Sequence, residues 1–224
     1  MESIGQHITN SAYEFIYYSL ISLLLIKTIH KLLCIFKTEA IWFQLHSVVN
    51  LFIAYWSIND VIECFIDPNA SGETITHKLA GSLAFTLHFY HMICFKMRLH
   101  DWYHHILSVF VCIPMALLYT KKGFSFYCFF CTGFPGAIDY ALLALIKNNI
   151  ISKNIEKRIN SNLNAYIRMP GGIIGSLFIF KDGWVALTVL EFWSNNSLAF
   201  LVYINTCYFG QQAIENYGFS KKLR

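Results

Sequence analysis

The sequence predicts an all-α, polytopic membrane helix bundle of about seven transmembrane helices. Three observations carry that prediction. The 224 residues are 56% hydrophobic, 17% aromatic and only 13% charged, with a mean hydropathy of +0.47, about half the charged share that coats a soluble domain. Apolar stretches of about the length that crosses a bilayer recur along the whole chain. The 17 basic residues are divided unevenly among the connecting segments, as membrane orientation requires. The same composition excludes a disordered chain, a nucleic-acid platform and a disulfide-rich secreted scaffold.

Taken in order, the spans fall at Tyr13–Ile35, Ile41–Ile58, Leu79–Met97, Trp102–Thr120, Phe124–Ile146, Leu163–Phe180 and Ser194–Ala213. The sixth carries Arg168 and Pro170 and is the weakest as a span, with six spans as the fallback count. The stretch Gly183–Trp193 is too short to cross alone. These spans define one transmembrane helical domain over 13–213, preceded by a polar tail (1–12) and followed by a basic tail (214–224).

Placing the N-terminus outside and the C-terminus in the cytosol puts 13 of the 17 basic residues inside: Lys27, Lys31, Lys37, Lys96, Arg98, Lys147, Lys153, Lys157, Arg158, Arg168, Lys221, Lys222 and Arg224. The remaining four, Lys78, Lys121, Lys122 and Lys181, fall outside. Basic residues follow the first apolar run and do not precede it, so this segment reads as an uncleaved anchor. Asn69-Ala70-Ser71 and Asn195-Asn196-Ser197 are glycosylation-type triplets on the outer side. Lys221 and Lys222 stand four and three positions from the C-terminus, the arrangement of a dilysine signal that returns membrane proteins to the endoplasmic reticulum. Such a signal is an address and not an anchor.

Ionisable groups inside spans are costly and mark functional hypotheses. His88, His91, His100, Asp101, His104 and His105 place five of the nine histidines within 18 residues. His88 and His91, three apart, share a helix face. Asp101 lies within one turn of His104 and His105, where its carboxylate would hold an imidazole in one tautomer and raise its basicity. Asp139 is buried in the fifth span and requires a partner, either in a site or in a structural ion pair. Arg168 reads as a substrate contact or as a side chain snorkelling to the inner interface. Counted along the helices, these groups all lie in the cytosolic half of the bilayer, where they would converge on one inward-opening cavity. Small residues (Ala80, Gly81, Ala84, Gly133, Gly136, Gly171, Gly172 and Gly175) would let the surrounding helices pack closely.

No metal or resident cofactor is expected, because only one region is histidine-rich; His30, His46 and His77 stand isolated. Cys128 and Cys131 lie inside an apolar span without further ligands and read as packing. A retinal-type reading fails because Ser194–Ala213 holds no lysine. A fatty-acid elongase box would need two residues between its first histidine and the pair; here three separate His100 from His104.

Residues 81–172 resemble the TLC-domain family, the superfamily that includes the ceramide synthases and the translocating-chain-associating membrane proteins. The resemblance lies in a glycine-containing span, the short basic loop Lys96-Met97-Arg98, Asp101-Trp102-Tyr103-His104-His105 opening the next span, Asp139-Tyr140 one span later, and Asn164-Ala165-Tyr166-Ile167-Arg168. It implies a seven-helix bundle of the endoplasmic reticulum membrane that acts on or senses lipids. In the ceramide synthase branch it implies acyl transfer from acyl-CoA to a lipid amine. Carried over, His104 and His105 are the catalytic pair, with Asp139 the second acid; the branch's first acid falls near Gly136, a glycine here. Asp101 joins these as a catalytic candidate, and His88, His91 and Arg168 are candidate substrate contacts. Membrane lipids are the expected partners, with acyl-CoA a co-substrate if there is turnover; the oligomeric state stays open. The competing reading is a non-catalytic lipid-binding or membrane-organising protein with the same bundle.

Overall fold

The computed structural model describes residues 4–36, 40–68, 75–97, 99–119, 122–186 and 188–222. Among them the chain forms helices and no strand. Seven continuous rods result. They are α1 (Ile4–Ile35), α2 (Ile41–Ile66), α3 (Ile75–Cys94), α4 (Leu99–Leu107, Ser108–Cys112, Ile113–Tyr119), α5 (Lys122–Cys128, Phe129–Gly133, Phe134–Lys147), α6 (Lys153–Leu163, Asn164–Arg168, Met169–Trp184) and α7 (Val189–Lys222). Each apolar stretch of the sequence falls on its own rod. The rods outrun those stretches at several ends: α2 continues to Ile66, α6 begins at Lys153, and the segments read as polar and basic tails are largely helical. The triplet at Asn69 lies outside the described residues.

Among the described residues, four helices are long and apolar enough to cross a membrane: Thr9–Ile35, Ile41–Ile66, Lys122–Lys147 and Lys153–Trp184. The chain is a multi-pass membrane protein. Its surface agrees, since large apolar side chains such as Ile16, Leu20, Leu24, Phe110, Leu177 and Phe200 are exposed, an arrangement that water would penalise and lipid would not. The interior is a shared apolar core to which Ile26, Leu45, Ile53, Leu83, Leu87, Ile113, Phe124, Ile179 and Leu198 contribute.

Local chemistry explains where the rods stop. Asp67, at the end of α2, is extended (φ −134°, ψ 92°) because Pro68 follows and disfavours helical backbone before it. Between α5 and α6 the chain turns through Asn149 at φ 56°, a left-handed position that asparagine tolerates better than most residues. Helix α7 is capped by Thr188, whose Oγ1 accepts the Glu191 amide at 3.1 Å, as N-capping requires.

Three rods contain one π-helical turn each, at Ser108–Cys112, Phe129–Gly133 and Asn164–Arg168. A proline follows each turn at the second position: Pro114, Pro135 and Pro170. A helical proline lacks an amide and collides with the carbonyl four residues back. Those carbonyls belong to Phe110, Cys131 and Tyr166, the central residue of each π turn. The wider turn is therefore how each rod absorbs its proline without breaking.

Close approach between rods rests on small residues. A Cβ on Gly133 would stand 3.0 Å from the Ala54 backbone nitrogen of α2, and one on Gly175 would stand 3.0 Å from Tyr127 Cα of α5. Contacts at the two ends show the rods running up and down. Lys78 pairs with Glu14, Lys122 with Glu63, and Lys181 with the Pro68 carbonyl. These bring the starts of α1, α3 and α5 together with the ends of α2 and α6. At the opposite end His30 meets Tyr90 at 2.7 Å, and Lys157 donates to the Asn216 carbonyl at 3.2 Å. The second glycosylation-type triplet lies within α7 and not on a loop, and its acceptor Asn195 is 1% exposed.

Candidate functional site: a buried imidazole cluster

Near the end that holds the end of α3 and the starts of α2 and α4, five histidines from three helices meet. His88 and His91 project from one face of α3, as their spacing predicts. His104 and His105 project from α4, and His46 enters from α2. His91 Nδ1 and His105 Nε2 are 2.9 Å apart. Ring centroids are 4.9 Å apart for His88 and His105, 5.6 Å for His88 and His104, and 5.8 Å for His46 and His91. His46, His88, His91 and His105 are 4–7% exposed; His104 is only partly buried.

The hydrogen bonds fix the tautomers. His105 Nδ1 lies 2.7 Å from the Asp101 carbonyl oxygen. A carbonyl only accepts, so Nδ1 carries the proton. In the neutral ring Nε2 then accepts from His91 Nδ1–H, and the lone pair of His91 sits on Nε2. By the same rule His88 donates Nδ1–H to the Ala84 carbonyl at 2.7 Å and keeps its lone pair on Nε2. Both nitrogens of His105 are thus committed. It orients His91 and is not itself placed to take a proton from a substrate. For His105 the group that fixes the tautomer is therefore the backbone carbonyl of Asp101, not its carboxylate.

Aromatic side chains wall the cluster. Trp42 stacks on His91 (centroids 3.5 Å, 28°) and meets His46 edge-on at 3.8 Å. Tyr140 stacks on the other side of His46 at 4.2 Å. Phe209 of α7 meets His104 at 5.2 Å. His46 Nε2 is buried with no hydrogen-bond partner, a polar atom left unmet among rings. Sequence reading treated His46 as isolated. Trp42 and His46, four apart on one helix face, were the available signal.

Asp139 and Arg168 do not join the imidazoles. They pair with each other across α5 and α6, Nη2 to Oδ2 at 3.7 Å. Arg168 Nη1 donates to Asn164 Oδ1 at 3.0 Å, and Asn164 Nδ2 donates to Asn160 Oδ1 at 2.6 Å. Asn160 in turn donates to Glu156 at 3.4 Å. A polar file therefore runs along one face of α6, and Arg168 is held inside it instead of snorkelling outward. Asp139 Oδ1 and Arg168 Nε remain buried without hydrogen bonds. The link between the two groups is Tyr140, beside Asp139 in sequence and stacked on His46.

Among the described residues no group of three histidine, cysteine, aspartate or glutamate side chains is arranged to hold a metal ion. All seven cysteines are free; Cys128 lies in the apolar core and Cys131 Sγ meets Thr206 Oγ1 at 3.4 Å. The cluster offers buried imidazole lone pairs of fixed tautomer beside an aromatic wall, an arrangement suited to moving a proton at an apolar molecule. No family model, curated protein or solved structure matches the chain.

Proposed function

We propose that this is a seven-span membrane protein of lipid metabolism in the endoplasmic reticulum, with its N-terminus lumenal and its C-terminus cytosolic, whose histidine cluster serves acyl transfer to a lipid amine or hydroxyl. One observation carries the reading: buried rings from α2, α3 and α4 converge, with one of them, His104, at the margin where a substrate could reach it. The three rods that fall short of spanning hydropathy include the two that bring most of these imidazoles, α3 and α4. The burden of the site lowers their apolarity, which is why we count them as spans.

In the proposed step His104 removes the proton from the acceptor N–H or O–H as its heteroatom attacks the thioester carbonyl of acyl-CoA. The new C–N or C–O bond forms, the C–S bond breaks, and the imidazolium returns the proton to the departing thiolate. His91 and His105 position the neighbouring rings. Asp139, neutralised by Arg168, acts on the packing of α5 against α6 and not as the second acid that the TLC-domain resemblance implies. The resemblance at Asp101–His105 supports the assignment to lipid chemistry, and the endoplasmic reticulum is the membrane that this resemblance implies.

The test is acyl transfer by purified protein in lipid vesicles. Replacing His104 by Ala should lower the rate by about a hundredfold or more, with unfolding temperature little changed. Transfer that survives this change removes His104 from the chemistry. A second reading is a non-catalytic lipid-binding protein, favoured by the way the rings satisfy one another. Wild-type protein that retains lipid through purification, yet turns none over, establishes that reading instead.

A further inference from the structure

A cavity of about 180 Å³ opens at the other side of the same end of the bundle, between the start of α6 and the end of α7. It is lined by Ser152, Asn154, Ile155, Arg158, Tyr217, Ser220 and Lys221. We infer that it is a binding site for a phosphate monoester group.

Charge and geometry carry the inference. Arg158 and Lys221 face the cavity from different helices, so two cations are held around one space. Lys221 is steadied over the Tyr217 ring, Nζ 4.7 Å from its centroid. The neighbouring Lys157 is committed elsewhere, to the Asn216 carbonyl, which ties α6 to α7 beneath the cavity and fixes the spacing of its walls. Ser152 occupies the N-cap position of α6 in extended backbone, yet its side chain makes no capping bond. The Ile155 and Glu156 amides turn back to the Ser152 carbonyl, which leaves the Ser152 hydroxyl without a capping bond and available to an anion at the positive end of the helix dipole. The acid of that first turn, Glu156, is buried on the opposite face in the polar file to Asn160 and does not oppose the cations. Ser220 spends its hydroxyl proton on the Tyr217 carbonyl (2.8 Å), which helps order this last turn of α7.

A site with two cations and a helix amino end suits a doubly charged monoester. A phosphodiester headgroup that carries its own ammonium would bring a positive group into the same space. The monoester could be the headgroup of a lipid such as phosphatidic acid or a group on a soluble molecule such as coenzyme A. The inference does not depend on the histidine chemistry, and its test reads binding alone. The measurement uses purified protein and not cells.

Full-length protein is placed in phosphatidylcholine nanodiscs containing a minor share of phosphatidic acid, and retained lipid is measured by native mass spectrometry. In a second arm, coenzyme A or inorganic phosphate is titrated into nanodiscs of phosphatidylcholine alone. R158Q and K221Q should each weaken binding about fivefold, on the scale of one interfacial charge, and the double variant should abolish retention. K31Q removes a charge at the same end but away from the cavity and should change nothing. Binding of phosphatidic acid identifies a lipid headgroup as the source; binding of coenzyme A or phosphate alone identifies a soluble one. Equal losses from K31Q and the cavity variants, or a double variant that binds as the wild type does, overturns the proposal.

Discussion

His105 is the residue on which the cluster turns, because both of its ring nitrogens are in use. Removing it strands the His91 Nδ1–H in a buried setting, and an unmet buried donor costs about 1–3 kcal/mol. His105→Ala should therefore lower the unfolding temperature in detergent more than His104→Ala does, since His104 is only partly buried. A double-mutant cycle between positions 91 and 105 should return a coupling of about 1 kcal/mol; additive losses would show that the 2.9 Å contact contributes nothing. How much of this was legible differs residue by residue. His88, His91, His104 and His105 could be read together because helical spacing puts each pair within a turn. His46 could not, since it stands 42 positions before His88 and only the packing of α2 on α3 joins them. Asp139 was legible as an acid in need of a partner, but sequence gives no helix rotation, and rotation decided for Arg168 over the imidazoles.

Elements were legible where apolarity defined them and illegible where polarity faced another helix. The first ten residues of α6, from Lys153, fell outside the predicted sixth span because they are polar overall. They are helical because one face, Glu156, Asn160 and then Asn164, hydrogen-bonds along itself at four-residue intervals, while exposed charges such as Arg158 occupy another. The contact of α2 with α5 gives the sharpest test at this scale. Gly133→Val would drive a branched side chain into the Ala54 backbone, which cannot give way as a side-chain tip can. Overpacking of this kind costs about 1–3 kcal/mol, so this variant should melt well below the wild type, and Gly218→Val, where nothing lies within 4 Å of the added Cβ, should not. Equal melting of the two variants would mean that the close approach at Gly133 is not needed.

For the whole molecule, the contacts between rod ends sort the basic residues by end of the bundle, and the proposed orientation assigns one of those ends to the cytosol. Of the four basic residues assigned outside, Lys78, Lys122 and Lys181 all lie at one end of the bundle, while Lys157, Arg158 and Lys221 lie at the other. A glycan acceptor added ahead of α1 should be modified in microsomes, and one added after Arg224 should not; the reverse pattern would invert the topology and place the imidazoles in the lumenal half. The end contacts differ in kind as well as in position. Glu14–Lys78, Glu63–Lys122 and the Lys181 hook on Pro68 fasten one rim with formal charges, whereas near the opposite rim α2, α3 and α5 are joined by stacked rings and α6 is tied to α7 by Lys157 on a backbone carbonyl. Ionic strength therefore acts on the two rims unequally. Concentrated salt screens the charged fasteners and leaves the ring packing in place, so loosening begins at the rim farther from the histidines.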